Sequence, residues 1–340
     1  MDKRTHLLYN ENIYQEALRR FGIPQENIRK LGGFESFLYE YEKEERPYIL
    51  RISHSLHLPP NRTRGEMDFL LYLAEIGLSV PRPHPSRHGN LVEVIEVPAN
   101  EVISETTYFS AATFDKAPGN HPAKEDWNPE LFRAMGRYMG RLHCLSKKYN
   151  PSCPEFRRHE WYEDEEDYAN LYLPSSEGIV RNKFKKLVTY LKSLPRSPEN
   201  YGLIHVDFHG GNFFIDKSIK KGDPHITLFD WDNCTYAPFV YDIAMALFYA
   251  VPHHCDTPED RENARVFYQS FMQGYDEQNV LDRKWLKEIP HFLKLREMDL
   301  YIIIHRSFEL EQLGPWEAGY MEGRKARLEN DIPYVDMDFS

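Results

Sequence analysis

Asp207 and Asn212 lie in the stretch Leu203-Ile204-His205-Val206-Asp207-Phe208-His209-Gly210-Gly211-Asn212, and Asp230 follows in the run Ile226-Thr227-Leu228-Phe229-Asp230-Trp231-Asp232. Short strands joined by a hairpin would carry these three side chains at their ends. That set suits phosphoryl transfer: one carboxylate steers a hydroxyl, and an amide oxygen with a second carboxylate holds Mg²⁺ under a nucleotide. Taken singly, each residue has a plainer explanation, since Asp and Asn commonly cap turns and end strands. The spacing and the intervening strand together favour the chemical reading. His205-x-Asp207-x-His209 also has the look of a metal-ligand cluster. A hydrolytic metal site would need further ligands and would leave Asn212 and Asp230 unused.

The elements that must position these residues follow from period and punctuation. Ile13, Ala17, Leu18 and Phe21 fall on one helical face within residues 9–21, and Gly22 and Pro24 stop the helix. Leu31 to Phe37 reads as a glycine turn, and Leu38–Tyr41 and Tyr48–Ile52 as strands around the charged turn Glu42 to Arg46. An amphipathic helix is expected over 63–76, ended by Gly77 and Pro81, with further strands at 90–97 and 106–114. After Pro118-Gly119 helices dominate, at 131–145, 179–194, 243–249, 263–275 and 283–309. Gly136 and Gly140 on the first of these would let a neighbour approach closely. The expectation is therefore an α+β chain in two parts, a small sheet with one prominent helix and then a mainly helical part.

At 340 residues with 41% apolar side chains the chain can bury a full core. A net charge of −11 argues against generic affinity for DNA, RNA or anionic lipid, which depends on excess Lys and Arg. Cys144, Cys153, Cys234 and Cys255 are scattered without a CxxC spacing, as reduced thiols would be. No apolar stretch follows the start Met1-Asp2-Lys3-Arg4, and none elsewhere is long enough to span a bilayer. Cytoplasmic residence is the expectation.

With His205-Val206-Asp207-Phe208-His209-Gly210-Gly211-Asn212, Phe229-Asp230-Trp231-Asp232 and Tyr241-Asp242-Ile243-Ala244 in hand, the chain resembles the aminoglycoside phosphotransferase and choline kinase-like family. That resemblance implies a bilobal protein-kinase-like fold. Residues 1–115 would form a nucleotide-binding sheet lobe, and 116–340 a larger helical lobe for catalysis and substrate. The implied activity is transfer of the γ-phosphate of ATP, with GTP open, to a hydroxyl of a small molecule with Mg²⁺. An amino sugar or an amino alcohol would suit as acceptor. Asp207 would be the catalytic carboxylate, and Asn212 and Asp230 the metal ligands. Gly32 and Gly33 would cover the phosphates. Arg51 would touch the α- and β-phosphates and Glu66 would hold Arg51. The segment Thr113-Phe114-Asp115 would offer backbone groups to adenine.

Other residues draw further expectations. His205 would pack behind the loop, His209 would shape it, and Asp242 would anchor it through backbone donors. Asp232 would assist the metal or cap. Val206 stands where the family often has Gly, and Gly210 where Pro is common, which leaves the loop's shape open. The acidic run 160–167, with Trp161, Tyr162 and Tyr168, would bind a cationic acceptor or serve as a solvated face. Trp316, Glu317 and Tyr320 would line the acceptor pocket or simply pack. Alternatives are a protein Ser/Thr kinase, disfavoured by the short span from Asp230 to Tyr241, a metal-dependent hydrolase, and a binding module without turnover. The oligomeric state is not legible.

Overall fold

The Asn10 side chain accepts from the N–H groups of Asn12 and Ile13, so a helix begins just beyond it. Gly22 ends that helix in the left-handed conformation, at φ 65°. This helix, α2 (Glu11–Phe21), follows a short α1 (Lys3–Leu8) in the computed structural model, which describes residues 3–33, 35–163, 165, 167–218 and 224–339. The chain divides into two units. One takes residues 1–118 together with the later segments 149–158 and 227–232, and the other takes the remainder. A boundary drawn along the sequence alone does not reveal those two returning segments.

In the first unit β1 (Arg29–Leu31), β2 (Ser36–Lys43), β3 (Arg46–His54), α3 (Pro60–Glu75), β4 (Pro83–His84), β5 (Glu93–Val97) and β6 (Thr107–Asp115) succeed one another. The sheet order is β1-β2-β3-β6-β4, with β5 also on β6, and every pairing is antiparallel. Glu44 and Glu45 connect β2 to β3 with φ of 53° and 60°, a tight two-residue turn of the kind that suits the twist of paired strands. The helical face of Ile13, Ala17, Leu18 and Phe21 packs with Phe37, Tyr39, Leu50, Ile52 and Phe109 in one core. The returning segment 149–158 lies against α3. Tyr149 and Ser152 donate to the Asp68 carboxylate, and a Cβ on Gly65 would come within 2.2 Å of the Phe156 carbonyl oxygen.

The second unit contains α4 (Pro129–Ser146), α5 (Tyr168–Tyr172), α6 (Gly178–Lys192), β7 (Tyr201–Ile204), β8 (Phe213–Asp216) and β9 (His225–Leu228), within which the chain passes to the first unit. It resumes with β10 (Thr235–Pro238), α7 (Phe239–Ala250), α8 (Pro258–Asp276), α9 (Ile289–Ser307), α10 (Pro315–Met321) and α11 (Arg324–Glu329). β10 pairs antiparallel with β7, and β8 with the strand that begins at His225. The expected close approach at Gly136 is present. A Cβ there would stand 1.8 Å from the Phe271 carbonyl oxygen, and one on Gly274 would stand 1.9 Å from that of Arg133. The glycines let the α4 and α8 backbones touch. The single helix expected over 283–309 is instead a 3₁₀ turn, Arg283–Glu288, followed by α9. Pro290 accounts for the break, because proline suits a first helical turn and not an interior. Among the described residues no helix is long and apolar enough to cross a membrane.

Candidate active site

In the second unit the loop that follows β7 is shaped from behind by Asp242. This residue sits in the first turn of α7 with no exposure to solvent. Its carboxylate accepts from the backbone N–H groups of His205 (3.1 Å) and Val206 (2.7 Å) and faces His143 Nε2 at 3.1 Å. The other nitrogen of His143 meets the Tyr275 hydroxyl at 2.8 Å. Burial pushes the His143 imidazole down toward its neutral form, against the pull of Asp242. Val206 has φ 71°, a region that a β-branched side chain strongly resists. The loop thus demands a left-handed residue at a position where a glycine would sit without strain, and the Asp242 bonds hold valine there.

The loop presents Asp207, whose carboxylate is touched on both oxygens. The amide nitrogen of Asn212 donates to Asp207 Oδ2 (3.0 Å) and to its carbonyl oxygen (2.9 Å). His209 accepts from the Gly211 N–H at Nδ1 (2.9 Å), so its proton belongs on Nε2, which lies 3.4 Å from Asp207 Oδ2. Arg296 NH2 lies 3.4 Å from Oδ1. Burial alone would raise the Asp207 carboxyl. The His209 bond and the Arg296 charge outweigh it and hold the group well below the usual range, so it stays ionised. Because the Asn212 nitrogen is spent on Asp207, its amide oxygen is the atom left to face a cation. His205 accepts from the Asp207 N–H at 3.2 Å and is wholly buried, the supporting place expected of it. Gly210 also has a reason: a Cβ there would meet the Trp127 ring at 2.6 Å.

Arg296, Asp299 and Tyr249 were missed by sequence reasoning. Arg296 and Asp299 lie one turn apart on α9 and bond at 2.6 Å. Arg296 also meets the Tyr249 hydroxyl at 2.5 Å. The available signal was a cluster of charged residues, Lys294, Arg296, Glu297 and Asp299, set among the apolar residues of the stretch Phe292 to Ile304. Burial raises the Asp299 carboxyl, with the Arg296 charge opposing.

In the first unit Arg51 lies in β3, in register with Leu38 and Ala112, and is 6% exposed. Its two terminal nitrogens grip the two Glu66 oxygens at 2.8 and 2.5 Å, as expected of that pair. Asp232 faces His57 Nε2 at 3.3 Å, and its backbone carbonyl accepts from Arg158 at 2.6 Å. Burial would raise the Asp232 carboxyl, but His57, Arg51 and Arg158 bring it down to about 2. Asp230 comes just after β9 with φ 65°, a second left-handed non-glycine residue at a candidate position. Gly32 and Gly33 lie between β1 and β2, and a Cβ on Gly33 would meet the Ser36 carbonyl oxygen at 2.3 Å. Phe34 of that turn lies outside the described residues.

Two expectations change. Thr113 lies inside β6 between partners on both sides, Leu50 and His84, and the Asp115 N–H donates to the Arg82 carbonyl at 2.9 Å. Their place in the sheet, not free backbone, is what these residues show. The acidic run is not one solvated face. Glu160 is buried and accepts from the Tyr201 hydroxyl (2.5 Å) and Arg196 (3.0 Å), and Trp161 is buried among aromatics. Asp164 and Glu166 lie outside the described residues. Tyr320 is wholly buried and donates to the Glu297 carbonyl at 2.7 Å, whereas Trp316 is half exposed and stacks on it.

The combination of a small antiparallel sheet with a mainly helical unit that carries an Asp–Asn loop defines a kinase-like phosphotransferase. An aminopropanol kinase associated with microcompartments shares this fold, with a TM-score of 0.70 at 23% identity over 94% of this chain and 97% of its own. The family model described as "Phosphotransferase enzyme family" matches residues 27–279, and the chain belongs to that family. It is 38% identical to an amicoumacin kinase of Bacillus subtilis (strain 168), over 98% of this chain and 96% of that one. A solved amicoumacin kinase in complex with AMP-PNP, Ca²⁺ and Ami superposes with a TM-score of 0.89 at 33% identity, over 100% and 99% of the two chains.

The protein is therefore an enzyme, a small-molecule kinase that uses a nucleotide and a divalent metal. Neither a protein kinase nor a metal-dependent hydrolase finds support among these relatives. Among the described residues no group of His, Cys, Asp and Glu has metal-cluster geometry, and His205 is buried as a loop support.

Proposed function

We propose that this enzyme transfers the γ-phosphate of ATP, with Mg²⁺, to a hydroxyl of amicoumacin or a closely related amino-bearing metabolite, in the cytoplasm. The support for that acceptor is 38% identity to an amicoumacin kinase over nearly the whole of both chains. The observation that carries the chemistry is Asp207, an ionised carboxylate fixed on Oδ2 by Asn212 and only loosely approached on Oδ1. Asp207 accepts the acceptor's hydroxyl hydrogen and aims the oxygen in line with the γ-phosphorus. The oxygen–phosphorus bond forms, the bond to the β,γ-bridging oxygen breaks, ADP leaves, and the proton ends on Asp207. Arg51, kept charged and rigid by Glu66, supplies a fork suited to phosphate oxygens, and Gly32 and Gly33 lie in the turn assigned to the phosphates.

The donor types suit a hard cation. In the second unit Asn212 has its amide oxygen to give, and in the first Asp230 carries a carboxylate, the residue type such a cation takes. Bound Mg²⁺ would neutralise charge on the phosphate oxygens. Thr113, inside β6, and Asp115, at its end, are retained as adenine neighbours through that place in the sheet and not through free backbone groups. Four free cysteines accord with a reducing compartment.

The test is ADP release from MgATP with amicoumacin, choline, aminopropanol and an aminoglycoside offered in turn, with mass spectrometry of the products. Amicoumacin should give the highest kcat/KM and a monophosphorylated product, lost on omission of divalent metal. Turnover with another acceptor only would overturn the acceptor assignment, and no turnover with any would overturn the reading of the site.

A further inference from the structure

Arg296 makes one weak contact with the proposed base and two strong contacts elsewhere. Its NH1 donates to Asp299 at 2.6 Å and its NH2 to the Tyr249 hydroxyl at 2.5 Å, while Asp207 Oδ1 lies 3.4 Å away. Charge-assisted bonds between guanidinium and carboxylate normally close to about 2.7–2.9 Å, often through two parallel N–H groups. Here the fork is turned so that Asp299 takes the tight bond and Asp207 is left with the long one. The guanidinium also lies over the Tyr249 ring, 5.6 Å from its centre, and the Tyr249 ring meets that of His209 at 4.7 Å with the planes tilted by 51°. Arg296 and Asp299 side chains are 16% and 10% exposed, so solvent offers little substitute for these partners. The helix that carries them is itself fixed. Glu297, between them, is wholly buried and bound to Arg324 at 2.6 Å, and Arg324 also holds the Tyr320 and His253 carbonyls.

We propose that Arg296 is a positioning residue for phosphoryl transfer, held off by Asp299 and Tyr249 so that it orients the Asp207 carboxylate without capping it. The inference rests on the assignment of Asp207 as the group that accepts the hydroxyl hydrogen. A cation at this distance draws Oδ1 toward one side while Asn212 fixes Oδ2, which sets the plane of the carboxylate. A cation free to close the remaining gap would cap Oδ1, the oxygen that Asn212 and His209 leave open, and shut out the acceptor. Asp299 prevents that closure by holding NH1, and the Tyr249 hydroxyl shares NH2, the nitrogen that faces Asp207.

Asp299→Asn is the direct test, because it keeps the shape and removes the competing charge. In the amicoumacin assay described above, kcat per folded molecule should fall about tenfold while the KM for ATP stays within twofold. Asp299→Glu should recover at least half of the loss. A residue that merely supported the fold would lower the folded fraction, read by circular dichroism, and leave kcat per folded molecule alone. Should Asp299→Asn fail to fold, Tyr249→Phe gives the same reading with a smaller loss, about threefold. Retention of kcat within twofold by whichever of these variants folds, with Asp207→Asn inactive, overturns the inference. Turnover by Asp207→Asn at the wild-type rate overturns the assignment of Asp207 first, and this inference with it.

Discussion

Two arginine–carboxylate contacts in this chain are built to opposite ends. Arg51 and Glu66 form a closed pair: two parallel bonds of 2.8 and 2.5 Å, both side chains buried, each oxygen matched to one nitrogen. Arg296 and Asp207 form an open pair, a single contact at 3.4 Å with the cation's better bonds spent on a third party. A closed pair fixes a charge in place and removes the carboxylate from chemistry. An open pair keeps a carboxylate ionised and leaves it a free edge. The contrast lets stability and turnover be changed separately.

The largest expected effect falls on the open side. Asp207→Asn should lower kcat by about 10³-fold, the scale of losing a general base, with the thermal midpoint nearly unchanged and nucleotide binding retained. Steady-state ADP release and a thermal melt read the two quantities together. A melt that collapsed instead would place Asp207 among the closed pairs. Next comes Glu66→Gln, which strands the buried Arg51 charge against a neutral amide. Stability should drop by about 3 kcal/mol in urea unfolding. An unchanged midpoint would mean that Arg51 finds its partner elsewhere and the pair is not closed at all.

The His143–Asp242 contact extends the closed class and makes a pH prediction. The folded protein holds His143 below its ordinary pKa, so the unfolded chain binds the proton more readily. Stability is then full above the unfolded value of about 6.5 and declines as pH falls below it, by at most about 1.4 kcal/mol per unit for one such group. Urea titrations at several pH values, with His143→Gln as the flattened control, check the slope. The smallest effect is Val206→Gly. Relief of the left-handed strain outweighs the extra freedom of an unfolded glycine, for a gain of about 0.5 kcal/mol. A loss of stability there would show that the Asp242 bonds, and not the side chain, had already absorbed the strain.

Much of this was legible because it is local. The helix over Glu11–Phe21 announces itself through four apolar residues on one face and the stop at Gly22 and Pro24, and the hairpin of β2 and β3 through two short strand runs around a charged turn. Asp207, Asn212 and Asp230 stood out by type and spacing as candidates, and the Arg51–Glu66 pair, present in the structure, was implied by the family resemblance. Three things were hidden, each because it depends on partners distant along the chain. Glu160 looked like part of a solvated acidic run, yet its oxygens belong to Arg196 and Tyr201. Arg296 and Asp299 are 89 or more positions beyond Asp207, and nothing local points α9 toward that loop. The two-residue β4 has almost no pattern to read, but it encloses Thr113 from the second side and so spends the backbone that a linker would have left open.

The turn between β2 and β3 offers an engineering handle. Two glutamates with left-handed backbones are a poor material for so tight a reversal, and neither has been given a part in the chemistry. Recasting Glu44-Glu45 as Asn-Gly would relax the kink and remove adjacent like charges. A sturdier catalyst should be obtainable there without any sacrifice of speed.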